Sequence, residues 1–221
     1  YDHEGIEIEN DFFPYDAGNQ IWGSAAAADI DGDDIIDFII SSKSKHLYIF
    51  DKNGLKVDYD SGKYLMGTPS IGNLDDDDDF EIVIGGYSAF GVSTDLNEIF
   101  AINPDGTEVD GFPLVLGEKI KSGIALHDFN DDGKDDLVVG TDNDNLYLIY
   151  HDGTIATGFP FNVNDKIQTS PIVKRHGMED IIFTGSNDHV FYAINGDGTL
   201  RFSFIAENKI QTSPSILNHA G

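Results

Sequence analysis

A pattern that returns at a nearly constant interval limits the fold of this chain more than any other feature. It is met as Ile21-Trp22-Gly23-Ser24-Ala25, Leu65-Met66-Gly67-Thr68-Pro69, Ile120-Lys121-Ser122-Gly123-Ile124, Ile167-Gln168-Thr169-Ser170-Pro171 and Ile210-Gln211-Thr212-Ser213-Pro214. A period of about 45 residues, filled with short apolar runs and Gly/Asp/Asn punctuation, marks a unit that cannot bury its own faces and stacks on copies of itself. No amphipathic helix interrupts the pattern.

Each period predicts one four-stranded antiparallel blade of an all-β propeller. In the unit 120–166 the strands fall at Ser122 to His127, Leu137 to Gly140, Asn145 to Tyr150 and Gly158 to Val163, counted from the innermost outward. Asp152-Gly153-Thr154 marks the tight turn before the outermost strand and recurs as Asp105-Gly106-Thr107 and Asp197-Gly198-Thr199, more loosely as Lys52-Asn53-Gly54. Gly111-Phe112-Pro113 and Gly158-Phe159-Pro160 follow, echoed by Phe12-Phe13-Pro14. Proline suits an outer strand because it has no N–H to give to a further neighbour.

The chain is therefore expected to be one propeller region, 1–221, with four complete blades and a partial blade at each end. Residues 1–20 supply an outer strand of a preceding blade (Ile6 to Pro14), and 21–64, 65–119, 120–166 and 167–209 are whole blades. Residues 210–221 supply the inner strand of a following blade (Ile210 to Leu217), and an insertion at 85–98 lengthens the turn after the second strand of blade 65–119. A propeller closes into a ring, so the expectation is either a piece of a longer propeller or copies that complete one another.

With 13 Lys+Arg against 40 Asp+Glu the formal charge is −27, which repels nucleic acid and anionic membrane and makes cations the natural partners. There is no cysteine, which excludes disulfides and thiolate metal sites. No apolar run approaches the roughly 20 residues of a membrane span, so no membrane insertion is expected.

The acid is concentrated in three loops between the first and second strands of successive blades. They are Asp29-Ile30-Asp31-Gly32-Asp33-Asp34-Ile35-Ile36-Asp37, Asn73-Leu74-Asp75-Asp76-Asp77-Asp78-Asp79-Phe80-Glu81 and Asp128-Phe129-Asn130-Asp131-Asp132-Gly133-Lys134-Asp135-Asp136. Positions 1, 3, 5 and 9 carry oxygen side chains in each. With the carbonyl of position 7 (Ile35, Asp79, Lys134) they supply most of the six to eight oxygens that Ca²⁺ takes, so three Ca²⁺ sites are expected. Apolar residues at position 2 and near position 8 would pin each loop to the core, a rule that Asp135 breaks. A left-handed turn is expected at position 6, Asp34, Asp78 and Gly133. An EF-hand is excluded, since position 12 is Ile40 or Val139 rather than glutamate, and strands flank the loops. The fourth unit replaces the loop with Lys174-Arg175-His176-Gly177-Met178-Glu179-Asp180 and cannot hold calcium in this way.

The loop Asp128 to Asp136 followed by Leu137-Val138-Val139-Gly140 resembles the FG-GAP or VCBS-type repeat of integrin α-subunit propellers and bacterial surface proteins. That resemblance implies a seven- or eight-bladed ring, an extracellular or cell-surface setting, and binding through loops on the face opposite the calcium loops. The leading expectation is a secreted, non-enzymatic binding or adhesion module for a protein or glycan ligand. Its candidate surface is the turns after each second strand, especially Tyr87 and Phe90 of the insertion. Two alternatives stand beside it: a subunit that self-associates into a fibre or ring by strand exchange, and part of a calcium-dependent polysaccharide lyase. Against the lyase, His3, His46, His127, His151, His176, His189 and His219 fall at unrelated points of the repeat, and no nucleophile motif is present, so no catalytic residue is assigned.

Overall fold

The structure is a computed structural model that describes residues 12–88 and 97–217. Among these residues every regular element is a strand, and the strands form four antiparallel sheets that follow one another along the chain.

The first sheet is β1 (Ala26–Ala28), β2 (Asp37–Ser41), β3 (His46–Asp51) and β4 (Gly54–Asp60), paired in chain order. The second contains β5 (Tyr64–Leu65), β6 (Ser70–Gly72), β7 (Glu81–Tyr87), β8 (Glu98–Ile102) and β9 (Leu114–Val115). The third is β10 (Ala125–His127), β11 (Asp136–Gly140), β12 (Asn145–Ile149) and β13 (Phe161–Asn162), and the fourth is β14 (Ile172–His176), β15 (Glu179–Gly185), β16 (Val190–Asn195) and β17 (Leu200–Ile205).

The second sheet departs from the expected four strands. Its innermost strand is split into β5 and β6, both paired with the long β7. The outer strands differ for a reason written in the sequence. Blades two and three carry Gly-Phe-Pro there, and β9 and β13 pair over two residues each, whereas β4 and β17, which lack proline, run for seven and six. Proline gives the ladder no donor, so pairing resumes only after it. Phe12-Phe13-Pro14 and Ile210 to Leu217 are not in paired strands, and residues 1–11 of the expected first strand lie outside the described residues. Ile210 and Ser213 nevertheless make the contacts of the other repeat starts, since Ser170 N–H donates to Ser213 Oγ (3.0 Å) as Gly123 N–H does to Ser170 Oγ (2.9 Å).

The core lies between blades. Ile39, Ile49 and Leu65 pack on Ile82 and Phe100 at the first junction; Val83 and Ala101 meet Leu137 and Val139 at the second; Val138, Leu148 and Ile167 meet Ile182 and Ile194 at the third. A middle strand thus buries both faces, which is why β7 and β11 read as continuous apolar runs. Near the axis the inner segments approach until backbones touch: a side chain on Gly23 would collide with the Gly67 carbonyl, and one on Gly67 with that of Ser122. Glycine recurs at these starts because only a bare Cα fits.

The register fixes two opposite ends for every blade. Ala28 pairs with Asp37 and His127 with Asp136, which puts the acidic loops at one end. At the other end the turn after each second strand reaches the segment entering the inner strand, with Lys43 N–H donating to the Gln20 carbonyl, Asp142 to Lys119 and Asn187 to Lys166 (2.9 Å each).

Candidate metal centres

Each acidic loop folds around its own carboxylates. In all three the N–H of position 2 donates to the carboxylate of position 9: Ile30 to Asp37 (3.4 Å), Leu74 to Glu81, and Phe129 to Asp136 (3.0 Å). In all three the N–H of position 7 donates to the carboxylate of position 5: Ile35 to Asp33 (2.8 Å), Asp79 to Asp77 (2.9 Å) and Lys134 to Asp132 (2.9 Å). Position 1 accepts from positions 5 and 6 in the first and third loops, where Asp29 caps Asp33 and Asp34 and Asp128 caps Asp132 and Gly133. Positions 4 and 6 of these two loops have positive φ (Gly32 and Asp34, Asp131 and Gly133). The second loop does not follow: Asp78 is not left-handed, contrary to expectation. Asn73 there lacks the second carboxylate oxygen with which Asp29 and Asp128 cap two N–H groups at once.

The side chains that converge are Asp29, Asp31 and Asp37 in the first loop and Asp75, Asp77 and Glu81 in the second, with carboxylate oxygens within 4.8 Å of one another. Asp33 is not in the first group, and Asp79 lies beside Asp31 and Asp77 in a cleft between the two loops. In the third loop Asp128, Asp132 and Asp136 are spread more widely. Asn130 takes one oxygen of Asp132 (2.8 Å), and His151 Nε2 stands 3.3 Å from it.

Packing carboxylates together without water raises their proton affinity. Burial, joined by the charges of Asp75 and Asp77, pushes the Glu81 carboxyl up to about 7. Burial likewise pushes Asp136 up to about 6, with Asp132 and Asp128 adding to it. Glu81 is 0% exposed and its Oε1 has no hydrogen-bond partner among the described residues; Asp31 Oδ1 and Asn73 Oδ1 are buried atoms without a partner there in the same way. A buried acceptor left bare costs about 1–3 kcal/mol, more if charged, so these oxygens form a donor set that a cation would fit. The donors are all oxygen, which suits a hard ion of calcium's kind.

Several neighbours of these loops carry no signal in local sequence. Lys56 of β4 extends its ammonium to Asp31 Oδ2 and Asp37 Oδ1, 2.8 Å from each, and this contact holds the Asp31 carboxyl below its usual range. Lys134 reaches across to Asp76 of the preceding loop (2.9 Å). Asp135, which breaks the apolar rule at position 8, bonds the Asn73 backbone N–H through its side chain (3.1 Å) and donates its own N–H to the Asn73 carbonyl (2.7 Å). Phe80 N–H ties the second loop to the first through Ile30 O (2.9 Å). In the fourth blade Arg175 takes over this stitch, donating to the Asp128 carbonyl (3.0 Å), Asp131 Oδ1 (2.7 Å) and both oxygens of Asp180. A guanidinium thus spans the junction where the other blades use an acidic loop.

The other candidate residues divide. Tyr87 ends β7 at the end opposite the acidic loops, with its hydroxyl 2.7 Å from Met66 Sδ. Phe90 lies outside the described residues. His3 and His219 lie outside the described residues; among the described ones the histidines do not gather, with His46 paired with Asp58, His127 with Asp180 (2.9 Å) and His151 with Asp132, each on separate strands or turns.

No family profile and no curated protein sequence matches the chain. Solved structures do. BBS1N, crystallised in complex with ARL6DN, superposes with a TM-score of 0.62 at 13% identity over 86% of this chain and 59% of that one. BamB from Moraxella catarrhalis gives 0.57 at 14% over 89% and 55%, and the V. cholerae biofilm matrix protein Bap1 gives 0.57 at 16% over 82% and 28%. The chain thus spans little more than half of the first two and under a third of the last. At these identities the likeness is one of fold, and the fold is a β-propeller.

Proposed function

We propose that this chain is a calcium-braced propeller module of the FG-GAP or VCBS kind, working outside the cell as a non-enzymatic binder of a protein or glycan. The observation that carries the calcium reading is the bare, fully buried Glu81 Oε1 beside Asp75 and Asp77, matched by Asp31 Oδ1 in the preceding loop. Asp29, Asp31, Asp33 and Asp37 would hold the first ion, Asn73, Asp75, Asp77 and Glu81 the second, and Asp128, Asn130, Asp132 and Asp136 the third, each with the carbonyl of Ile35, Asp79 or Lys134. When bound, the ion supplies positive charge that joins the start of a loop to the strand leaving it. The protein's part is to preset the carboxylates, which the shared bonds from positions 2 and 7 do.

The binding reading rests on a rigid frame that leaves the turns at the far end of each blade to carry a ligand. Complex formation by BBS1N and the matrix role in Bap1's description are in keeping with it. His46, His127 and His151 stand apart from one another, each beside its own aspartate, an arrangement that does not favour the lyase reading. Thermal melting with calcium and with EGTA tests the metal claim: an ion held at about 100 times its Kd adds about 2.7 kcal/mol per site. Equal melting temperatures in both buffers would remove it.

A further inference from the structure

At the end of the blades away from the acidic loops lies a cavity of about 610 Å³, within the ordinary range for ligand sites. Its wall is built by the repeat itself. The second residue of each repeat start faces it: Trp22, Met66, Lys121, Gln168 and Gln211, with Tyr87 from the end of β7 and Lys43 from the turn after β2. One register position, five times over, thus carries an indole, a thioether, an ammonium and two amides where an axial strut would need only small residues.

The charge here opposes that of the whole. In a chain of net −27, Lys43 and Lys45 stand over the Tyr64 ring (5.7 and 6.0 Å from its centre), and Lys119 and Lys121 over that of Tyr87 (5.9 and 5.8 Å). The two rings meet edge to face at 5.6 Å, so four ammonium groups flank one aromatic pair. Acid is near as well, but it is engaged. Asp142 takes Lys121 and the Gln168 amide, Glu98 takes Lys63, and Glu118 accepts from Thr141, Asn145 and Tyr147. Among the described residues no carboxylate oxygen lies within 4 Å of the Lys43, Lys45 or Lys119 ammonium. Trp22, the chain's single tryptophan, is 61% exposed, its ring steadied by a hydrogen bond from Nε1 to Gln20 Oε1 (3.0 Å).

An exposed indole stacks on the apolar face of a pyranose, amides meet hydroxyls, and ammonium groups meet carboxylates. We infer that this axial mouth, with Trp22 as platform and, as anion contacts, Lys43 on its wall and Lys119 beside it over the Tyr87 ring, binds a uronate-containing glycan. The inference rests on the non-enzymatic binding reading above and names its ligand class. An acidic peptide would use the lysines but has little need of a flat, exposed indole beside paired amides.

The test is calorimetric titration of the calcium-saturated protein with three probes, oligogalacturonate, oligomannuronate and a hyaluronan oligomer, alongside a neutral glucan oligomer and tetraglutamate. At least one uronate probe should bind, more weakly as salt rises. Trp22→Ala and the pair Lys43→Gln/Lys119→Gln should each weaken it by about ten-fold or more, and Trp22→Phe by less. Calcium content and melting temperature, read on the same samples, should stay at parent values, since these side chains lie at the far end of the blades from the metal loops. Binding of none of the uronates overturns the inference, and so does binding that both variants leave intact. Equal affinity for the neutral glucan, or tetraglutamate binding indifferent to Trp22, does the same. Shortening of a bound oligomer supports the ligand class and overturns only the non-enzymatic reading.

Discussion

Replacing Gly140 by alanine tests the packing rule that joins one blade to the next. Gly140 closes β11, and an added methyl there would fall 2.3 Å from Ile167 Cγ2 and 2.9 Å from Ile167 Cβ. Carbon atoms settle at about 3.5–4.0 Å, so one side must move by more than an ångström. Ile167 is 1% exposed among Val138, Leu146 and Ile182 and has no free space to enter. Overpacking of this kind costs about 1–3 kcal/mol. For a chain of this size about 2 kcal/mol lowers the melting temperature by about 4–8 °C. Urea unfolding in saturating calcium, followed by circular dichroism, reads the change. Ile167→Ala removes the obstructing methyl at its own cost of about 2–5 kcal/mol. The double variant should therefore be more stable than the sum of the singles by about 1 kcal/mol or more. Gly85 with Ile120 repeats the geometry and should respond alike, whereas Gly185 meets an Ile210 that is only half-buried and should cost less. A Gly140→Ala protein as stable as its parent, or strictly additive singles, would refute the reasoning.

Lys56→Met should tighten calcium binding at the first loop by about ten-fold, because the ammonium that contacts Asp31 and Asp37 no longer competes; weaker binding in a calcium titration would show that the lysine assists instead. Arg175→Ala should lower the urea midpoint, and Arg175→Lys should recover under half of that drop, since an ammonium lacks the planar fork that reaches four oxygens on three residues. The Arg175 hydrogen bonds, aided by His127, hold the Asp180 carboxyl below its usual range. Its contribution is therefore present above the unfolded carboxyl value near pH 4 and is lost as pH falls through the lower folded value, so Asp180→Asn should flatten the acid limb of the stability profile. An acid limb identical in parent and variant would count against that assignment.

The repeat starts, the tight turns and the acidic loops were legible because each is local and recurs. The Asp-Gly-Thr turns fold as read, with Thr107, Thr154 and Thr199 N–H each 2.9 Å from the aspartate two residues before. The shortness of β9 and β13 was also present in the prolines, though only the pairing made it visible. Contacts set by tertiary placement were hidden. Lys56 lies 25 residues from Asp31, Asp135 lies 62 from Asn73, and Arg175 lies 47 from Asp128. In local sequence Asp135 is a broken apolar rule and Arg175 a lost ligand; across the junction each is a stitch. Trp22, Lys121, Gln168 and Gln211 served as markers of period, and only the shared axis shows that one register position lines one cavity.

The central claim is tested most directly by counting ions. Equilibrium dialysis against calcium should give three ions per chain, and Asp37→Asn, Glu81→Gln and Asp136→Asn should each remove one while leaving the other sites filled. A parent protein that takes up no more calcium than the triple variant would contradict the account.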